Sequence, residues 1–481
     1  MTQRNVFKKL LSVSTITLAF MFIASNIYAT DGYFSNGQGT KNKGVAGAGI
    51  AFLHSPFSGA INPAGIGFVG KKLSFEVSIG LFNPNRKYTV FGDPTPPQDW
   101  PYEGRQMLLG LTPGEVESES TTFIIPAVAF TYKLGEKNTL GLNFYGNGGM
   151  NTDYPTRTYY SEIINSFGNP MPNGFPNPMA NVSQPTGVNI TQMFLSLTYA
   201  RQIGEKHSIG ISPVFAYQTF EAKGLEAFRD MGSAGMPGMP VDRSAYVTNN
   251  GSVSSTGVGF RIGYQGELFT GFRLGASFQP KIKMSKFDEY KGLFAEEGGF
   301  DIPANWTAGV SYDFTEDFTL LLDVKQIMYS QVKSVANPMV ASQMVPFVPN
   351  PEMTSPEDAY MPNPNFVPLG DENGAGFGWE DMLIFKIGAE FRQVENWQFR
   401  AGYSYGKNPI QESEVMFNML APAVNDSHIS LGVTRAFGEH DLNLAITHAL
   451  ANSVSGTNPF DPAQQIELSM NQWEIEIGFR F

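Results

Sequence analysis

From residue 71 to the end of this 481-residue chain, segments of about ten residues alternate apolar and polar side chains with a period of two. In the last, Trp473, Ile475, Ile477, Phe479 and Phe481 share one face, and Glu474, Glu476, Gly478 and Arg480 the other. In the first, Leu73, Phe75, Val77, Ile79 and Leu81 oppose Lys72, Ser74, Glu76, Ser78 and Gly80. Successive strand side chains point to opposite faces, so such segments suit a wall with hydrocarbon on one side and a polar lumen on the other. A soluble sandwich strand also alternates. Charges, however, keep off the apolar face along most segments, as they must where a midplane Lys or Arg costs about 2 to 4 kcal/mol. Arg435 departs from this near a strand end, where the cost falls to about 0 to 1 kcal/mol.

About fourteen such segments occur, the even number that bacterial single-chain barrels require. The first spans 71–82, the second 121–134, the third 138–147, the seventh 271–286 and the last 470–481. Tight polar turns at 135–137, 204–206, 265–269, 315–316, 394–395 and 438–439 alternate with long connections. Short periplasmic turns and long extracellular loops have this alternation, which puts both ends of the strand array on the periplasmic side. Trp306, Tyr312, Phe314, Trp397 and Tyr403 are placed to form aromatic girdles. The fold class is all-β, a transmembrane antiparallel β-barrel.

Charged residues make up only 16% of the chain against about 25% in typical soluble domains, while 51 Gly and 39 Phe suit glycine turns and an aromatic exterior. Cysteine is absent, which excludes disulfides, thiol nucleophiles and thiolate metal sites. A net charge of -12 argues against a nucleic-acid partner. Arg4, Lys8 and Lys9 precede an apolar stretch at 10–23 and a small-residue site ending at Ala29, so 1–29 reads as a secretory signal peptide. That stretch is shorter than the roughly 20 residues of a spanning helix, and no longer apolar run follows.

Residues 30–70 differ in kind. Gly44, Ala46, Gly47, Ala48 and Gly49 allow close backbone packing without strand alternation, so this segment is expected to be a compact plug inside the lumen, with 71–481 forming the barrel. A plug is called for because barrels much wider than eight strands are not filled by their own side chains.

Four stretches resemble the FadL family of outer-membrane fatty-acid and hydrocarbon transporters, which includes TodX-like members. The first is Gly44, Ala46, Gly47 and Gly49 leading to Asn62, Pro63 and Ala64. The second is 145–154, with Gly146, Gly148 and Gly149 before Thr152, Asp153 and Tyr154. Pro303, Trp306, Gly309, Tyr312 and Asp323 carry the third. The fourth holds Gly378, Trp379, Asp381, Lys386, Gly388, Trp397, Arg400, Gly402 and Pro409. The resemblance spans the mature chain and implies a fourteen-stranded barrel with an N-terminal hatch, a third strand kinked inward, and ligands that leave sideways into the membrane. It makes Asn62, Pro63, Ala64, Gly146, Gly148 and Gly149 gating candidates. Pro63 lacks an amide hydrogen, and glycines weaken a ladder where a wall must bend; equally, such residues mark ordinary turns.

The loop at 148–190 holds Tyr159, Ile163, Phe167 and Met171, and that at 222–253 holds Leu225, Phe228 and Met231. Flexible, Met-rich and aromatic surfaces suit capture of greasy molecules, and the resemblance implies an outer groove here; the plainer alternative is that these side chains pack the loops together. Alternation points Arg261, Arg273, Lys281, Lys386 and Arg400 into the lumen, where Lys386, Arg400 and Arg273 are headgroup candidates. The competing expectation pairs such cations with lumen acids such as Asp323 and Glu390.

No histidine spacing suits a metal, and no nucleophile motif accompanies His428, His448 and Ser430, which together would be needed for a barrel-wall lipase. The expected function is cofactor-free passive uptake of hydrophobic compounds, foremost long-chain fatty acids, by a monomer seated among outer-membrane lipid and lipopolysaccharide. A hydrocarbon channel of the same family is the nearest alternative. Further off are a general porin, which needs an unplugged lumen, and an adhesive barrel.

Overall fold

A computed structural model describes residues 31–52, 55–95, 110–156, 158–159, 185–232, 243–352, 354 and 360–481. The signal peptide at 1–29, His54, Ile163 and Phe167 lie outside the described residues.

Fourteen antiparallel strands, β1 to β14 in chain order, close into one barrel. They are β1 Leu73–Phe91, β2 Phe123–Lys133, β3 Asn138–Asn151, β4 Gly187–Ile203, β5 His207–Lys223, β6 Val253–Phe269 and β7 Phe272–Gln279, then β8 Asn305–Thr315, β9 Phe318–Ile327, β10 Met382–Phe391, β11 Trp397–Gly406, β12 Ser427–Phe437, β13 His440–Thr457 and β14 Gln465–Arg480. Closure comes from β1 and β14, in register from Glu76 opposite Arg480 to Phe91 opposite Gln465. A fifteenth strand of the sheet, Gly114–Glu117, adds to the outer end of β1.

Outward positions such as Ile79, Leu197, Phe260, Leu431 and Ile477 are exposed, while inward ones such as Ser78, Thr198, Arg261, Ser430 and Glu476 are buried. So large an apolar girdle would be a liability in water and is what a bilayer requires. The outward Arg435 guanidinium lies over the Trp397 ring, 4.9 Å from its centroid, next to the turn that follows β12. No helix among the described residues is long and apolar enough to cross a membrane.

Several boundaries differ from expectation: the strand expected at 317–331 stops at Ile327, those expected at 439–451 and 470–481 extend outward to Thr457 and from Gln465, and three further differences have a plain physical reason. β1 runs on to Phe91 because Asn83, Asn85 and Lys87 alternate with buried Arg86, Tyr88 and Val90 above the hydrocarbon level, where an outward residue need not be apolar. β7 stops at Gln279, before Pro280, which has no ladder donor. The expected turn at 265–269 is strand: Glu267 pairs with Arg273 and Phe269 with Phe272, and the chain reverses at Thr270 and Gly271, the latter at φ +80°.

Residues 31–69 meet inward-facing groups around the barrel. Lys43 pairs with Glu474 and with Glu476 (2.6 Å) on β14, and Lys41 with Asp441 (2.9 Å) on β13. The Ile50 amide donates to Asp323 (2.9 Å) on β9, and Asn143 on β3 donates to the Pro56 carbonyl (2.8 Å). At the extracellular end, an apolar core of loop and strand residues runs from Tyr33 through Phe220, Trp379 and Phe417 to Phe460.

Candidate functional site

The wall is interrupted in its outer half. β2 and β3 pair from Lys133 opposite Thr139 up to Val128 opposite Phe144, and no further. Above that point Phe123–Ala127 of β2 has β1 on one side and no β3 on the other. β3 continues beside β4 but shifts register between Gly146 and Gly148, a bulge at Asn147 that bends the strand. Asn147 is anchored by its side-chain amide, which donates to Gln192 at 3.0 Å. Pro126 stands in the unpaired stretch, where it has no hydrogen to offer a missing neighbour. Proline inside a strand marks an edge, and Pro126 is the sequence signal for this one. The rim is apolar, formed by Phe82, Phe123 and Ile125 with Met193 packed on them.

The edge that β3 loses on β2 is taken by the N-terminal segment. Phe34 bridges Gly148; the Ser35 amide donates to the Asn147 carbonyl and the Gly149 amide to the Tyr33 carbonyl, both at 2.9 Å. Gln38 Nε2 donates to the Gly146 carbonyl at 2.7 Å. A Cβ at position 148 would overlap the Tyr33 carbonyl, so glycine there permits the contact.

Asn62 joins three pieces. Its side-chain oxygen accepts from the Ala64 amide at 3.1 Å, capping the 3-10 turn Pro63–Phe68, with proline at the first position, where no donor is needed. Its amide donates to the carbonyls of Ile50 (3.0 Å) and of Tyr264 on β6 (2.9 Å). The turn seats against Gly210 and Gly263, where any Cβ would strike Pro63 or Asn62.

The three expected headgroup cations are engaged in ion pairs. Arg400 reaches Glu390 at 2.6 Å, the pairing with a lumen acid that was the competing expectation, and Arg273 reaches Asp313 at 2.5 Å. Lys386 binds Asp31 (3.1 Å), the Asn36 carbonyl (2.6 Å) and Asn36 Oδ1 (2.5 Å), all on the N-terminal segment. Lys325 on β9 reaches the same Asp31 oxygen at 2.8 Å. Burial alone would raise the Asp31 carboxyl, but the two ammonium groups outweigh it and hold it at about 2. Lys43 is held above the usual lysine range; burial would lower it, and Glu474 and Glu476 prevail. Neither Asp31 nor Lys43 stood out in the sequence, because each is defined by a partner hundreds of residues away. Asp323 accepts from the Ile50 amide and not from a cation.

Of the groove candidates, Tyr159, Leu225, Phe228 and Met231 are described, and all are buried, at most 2% exposed, rather than lining an open groove. Tyr159 stacks edge-on against Phe228 (4.6 Å), Phe228 does the same against Phe417 (5.2 Å), and the Tyr159 hydroxyl donates to the Met416 carbonyl at 3.0 Å. Long ordered loops need a core of their own, and these side chains supply it. A narrow apolar cavity remains within that core, lined by Ile190, Leu225, Phe228, Phe294, Phe417 and Leu420.

The lipase constellation is not assembled. His428 bonds Ser404 (3.2 Å), Ser430 bonds Thr447 (2.8 Å), and His448 stacks on Trp473 at 3.9 Å. No metal-binding group of His, Asp or Glu occurs among the described residues.

An apolar girdle, a polar inner face, a lumen crossed by the N-terminal segment and a wall gap together define a membrane-spanning β-barrel of the channel class. The sequence profile of the outer membrane protein transport family (OMPP1/FadL/TodX) matches residues 169–465, and the chain belongs to that family. It is therefore an outer-membrane barrel. Among solved structures it is similar to a Pseudomonas aeruginosa FadL homologue, at 15% identity over 94% of this chain and 99% of that one, with a TM-score of 0.61. It is also similar to two toluene transporters, TbuX of Ralstonia pickettii (17% identity, 92% and 98% covered, TM-score 0.56) and TodX of P. putida (17%, 92% and 98%, 0.57). At these identities the likeness carries the fold alone. No curated protein sequence matches the chain.

Proposed function

We propose that this barrel is a passive, cofactor-free channel for hydrophobic compounds, foremost long-chain fatty acids, with residues 31–69 as its hatch. The apolar loop core around Tyr159, Leu225, Phe228 and Met231 parts to admit the ligand. The ligand then moves down to the aromatic cluster of Tyr33, Phe34, Tyr329 and Trp379, and leaves sideways between β2 and β3. The observation that carries this reading is the gap above Val128 and Phe144, closed from inside by Tyr33–Ser35 rather than by barrel wall. An apolar solute using such an exit never enters the periplasm. A general porin fits poorly with a lumen crossed by hydrogen-bonded chain.

Uptake of aromatic hydrocarbons is the second reading, favoured by the two toluene transporters among the structural neighbours. Against it stand the cations Arg261, Lys325 and Lys386 facing one polar cavity of the lumen, which suit an anionic head. The test is uptake of labelled oleate and of labelled toluene by cells lacking other transporters, with the intact protein and with Pro63→Gly. Oleate uptake that is lost in Pro63→Gly, with no general leak of small sugars, is expected. Toluene uptake without oleate uptake would favour the second reading, and sugar leakage through the intact protein would make it a porin.

A further inference from the structure

We propose that the Asp31 carboxylate stands in for the carboxylate of the transported molecule, so that an arriving fatty-acid head takes over Lys325 and Lys386 and frees residues 31–35 from the wall gap. This rests on the transport reading above and adds the chemical event that opens the exit.

One oxygen of Asp31, a residue only 1% exposed, accepts from both lysines, at 2.8 and 3.1 Å. The same lysines line a polar cavity together with Arg261, Asn305, Ser277 and Thr307. Among the described residues, three cations line that cavity and no acid does. Arg261, 7% exposed, is held by neutral groups, the Tyr145 hydroxyl at 3.3 Å and Gln279 at 2.8 Å. The side-chain amide of Asn305, 8% exposed, has no hydrogen-bond partner among the described residues. Asp323 lies opposite Lys386 in the ladder, but one of its oxygens already accepts from the Ile50 amide. The cavity is therefore supplied with donors for one more carboxylate, immediately beside the one that Asp31 provides.

The apolar tail has a place as well, because Phe34, Ala60 and Tyr145 line the same cavity and belong to the apolar core that reaches the extracellular loops. Exchange of one carboxylate for another keeps both lysines paired with a shared anion, whereas removing Asp31 without replacement would strand buried charge. A hydrocarbon, an alcohol or an ester cannot make the exchange. Release is coupled to the gap because Asp31 lies two residues before the Tyr33 carbonyl that holds Gly149, and three before Phe34, whose ring carries Lys325 at 5.7 Å. Lys386 grips Asn36 at the far end of the same stretch.

The cysteine-free chain lets a single Ser35→Cys report release through its rate of maleimide labelling in the purified full-length barrel. Oleate is expected to speed labelling by about tenfold or more, since loss of one member of a buried ion pair strongly destabilises what it held. Methyl oleate is expected to leave the rate unchanged. In Asp31→Asn the rate is already high and oleate adds nothing, while Asp31→Glu restores slow, oleate-responsive labelling. Binding of labelled oleate with labelling unchanged, or equal responses to oleate and methyl oleate, would overturn the exchange while leaving transport standing. Failure to bind oleate at all would overturn both.

Discussion

The Gly149 amide donates to the Tyr33 carbonyl at 2.9 Å, so a strand of the barrel wall takes as its neighbour not the preceding strand but the start of the chain. Everything proposed for transport depends on that substitution, since breaking it leaves a side opening in the outer half of the wall.

Gly148→Val places a side chain where the Tyr33 carbonyl lies. Overpacking of this kind costs about 1 to 3 kcal/mol, here charged to the docked segment rather than to the barrel. The expected outcome is a normally assembled barrel with faster labelling at Ser35→Cys and a raised leak of small solutes, read by liposome swelling.

Lys43→Met leaves Glu474 and Glu476 side by side in the lumen without their shared cation. Removing one partner of a buried pair costs about 3 to 5 kcal/mol. Thermal unfolding followed by mobility on cold gels should show a lower midpoint, largely recovered when both glutamates are also replaced by Gln.

Asn62→Ala removes the cap of the 3-10 turn and the bonds to Ile50 and Tyr264. Each carbonyl left without a donor costs about 1 to 3 kcal/mol when water cannot reach it. Protease cleavage within the N-terminal segment should accelerate while the barrel core stays resistant.

Asp31 sets a pH window. Its folded value of about 2 lies below the ordinary 3.8, so its contribution is fully present above 3.8 and is lost as pH falls through about 2. The difference in Ser35→Cys reactivity between the parent and Asp31→Asn should therefore hold constant from neutral pH to 3.8 and shrink only below it. Reactivity can be read after acid exposure with a reagent that does not need the thiolate.

Much of the wall was legible because lipid enforces the pattern. Phe479, Ile477 and Ile475 have no alternative to facing outward, and the turn at 438–439 follows from it. Where lipid ends, the pattern ends: residues 83–91 pair just as regularly but carry Asn85, Lys87 and Thr89 outward, so β1 reads short. The bend of β3 was visible in Gly146, Gly148 and Gly149. What closes it was not, because Tyr33 and Phe34 meet it across more than a hundred residues and nothing local marks them. Lys386, Arg400 and Arg273 were placed in the lumen correctly, yet alternation fixes only the face, and their acids Asp31, Glu390 and Asp313 follow from register and from the path of the N-terminal segment. The loop aromatics looked like open surface because composition does not say whether a loop folds on itself.

A reversible lock on the gap tests the central claim most directly. Ser35 and Asn147 stand opposite each other next to the Phe34–Gly148 bridge, joined by the Ser35 amide, and hydrogen-bonded antiparallel partners lie about 5.5 Å apart, within disulfide range. With Ser35→Cys and Asn147→Cys combined, oleate uptake should fall to the level of cells lacking the protein under oxidising conditions and return on reduction to the level of the single variants, neither of which responds to the change of redox conditions. Undiminished uptake by the fully oxidised double variant would show that ligand does not leave through this gap.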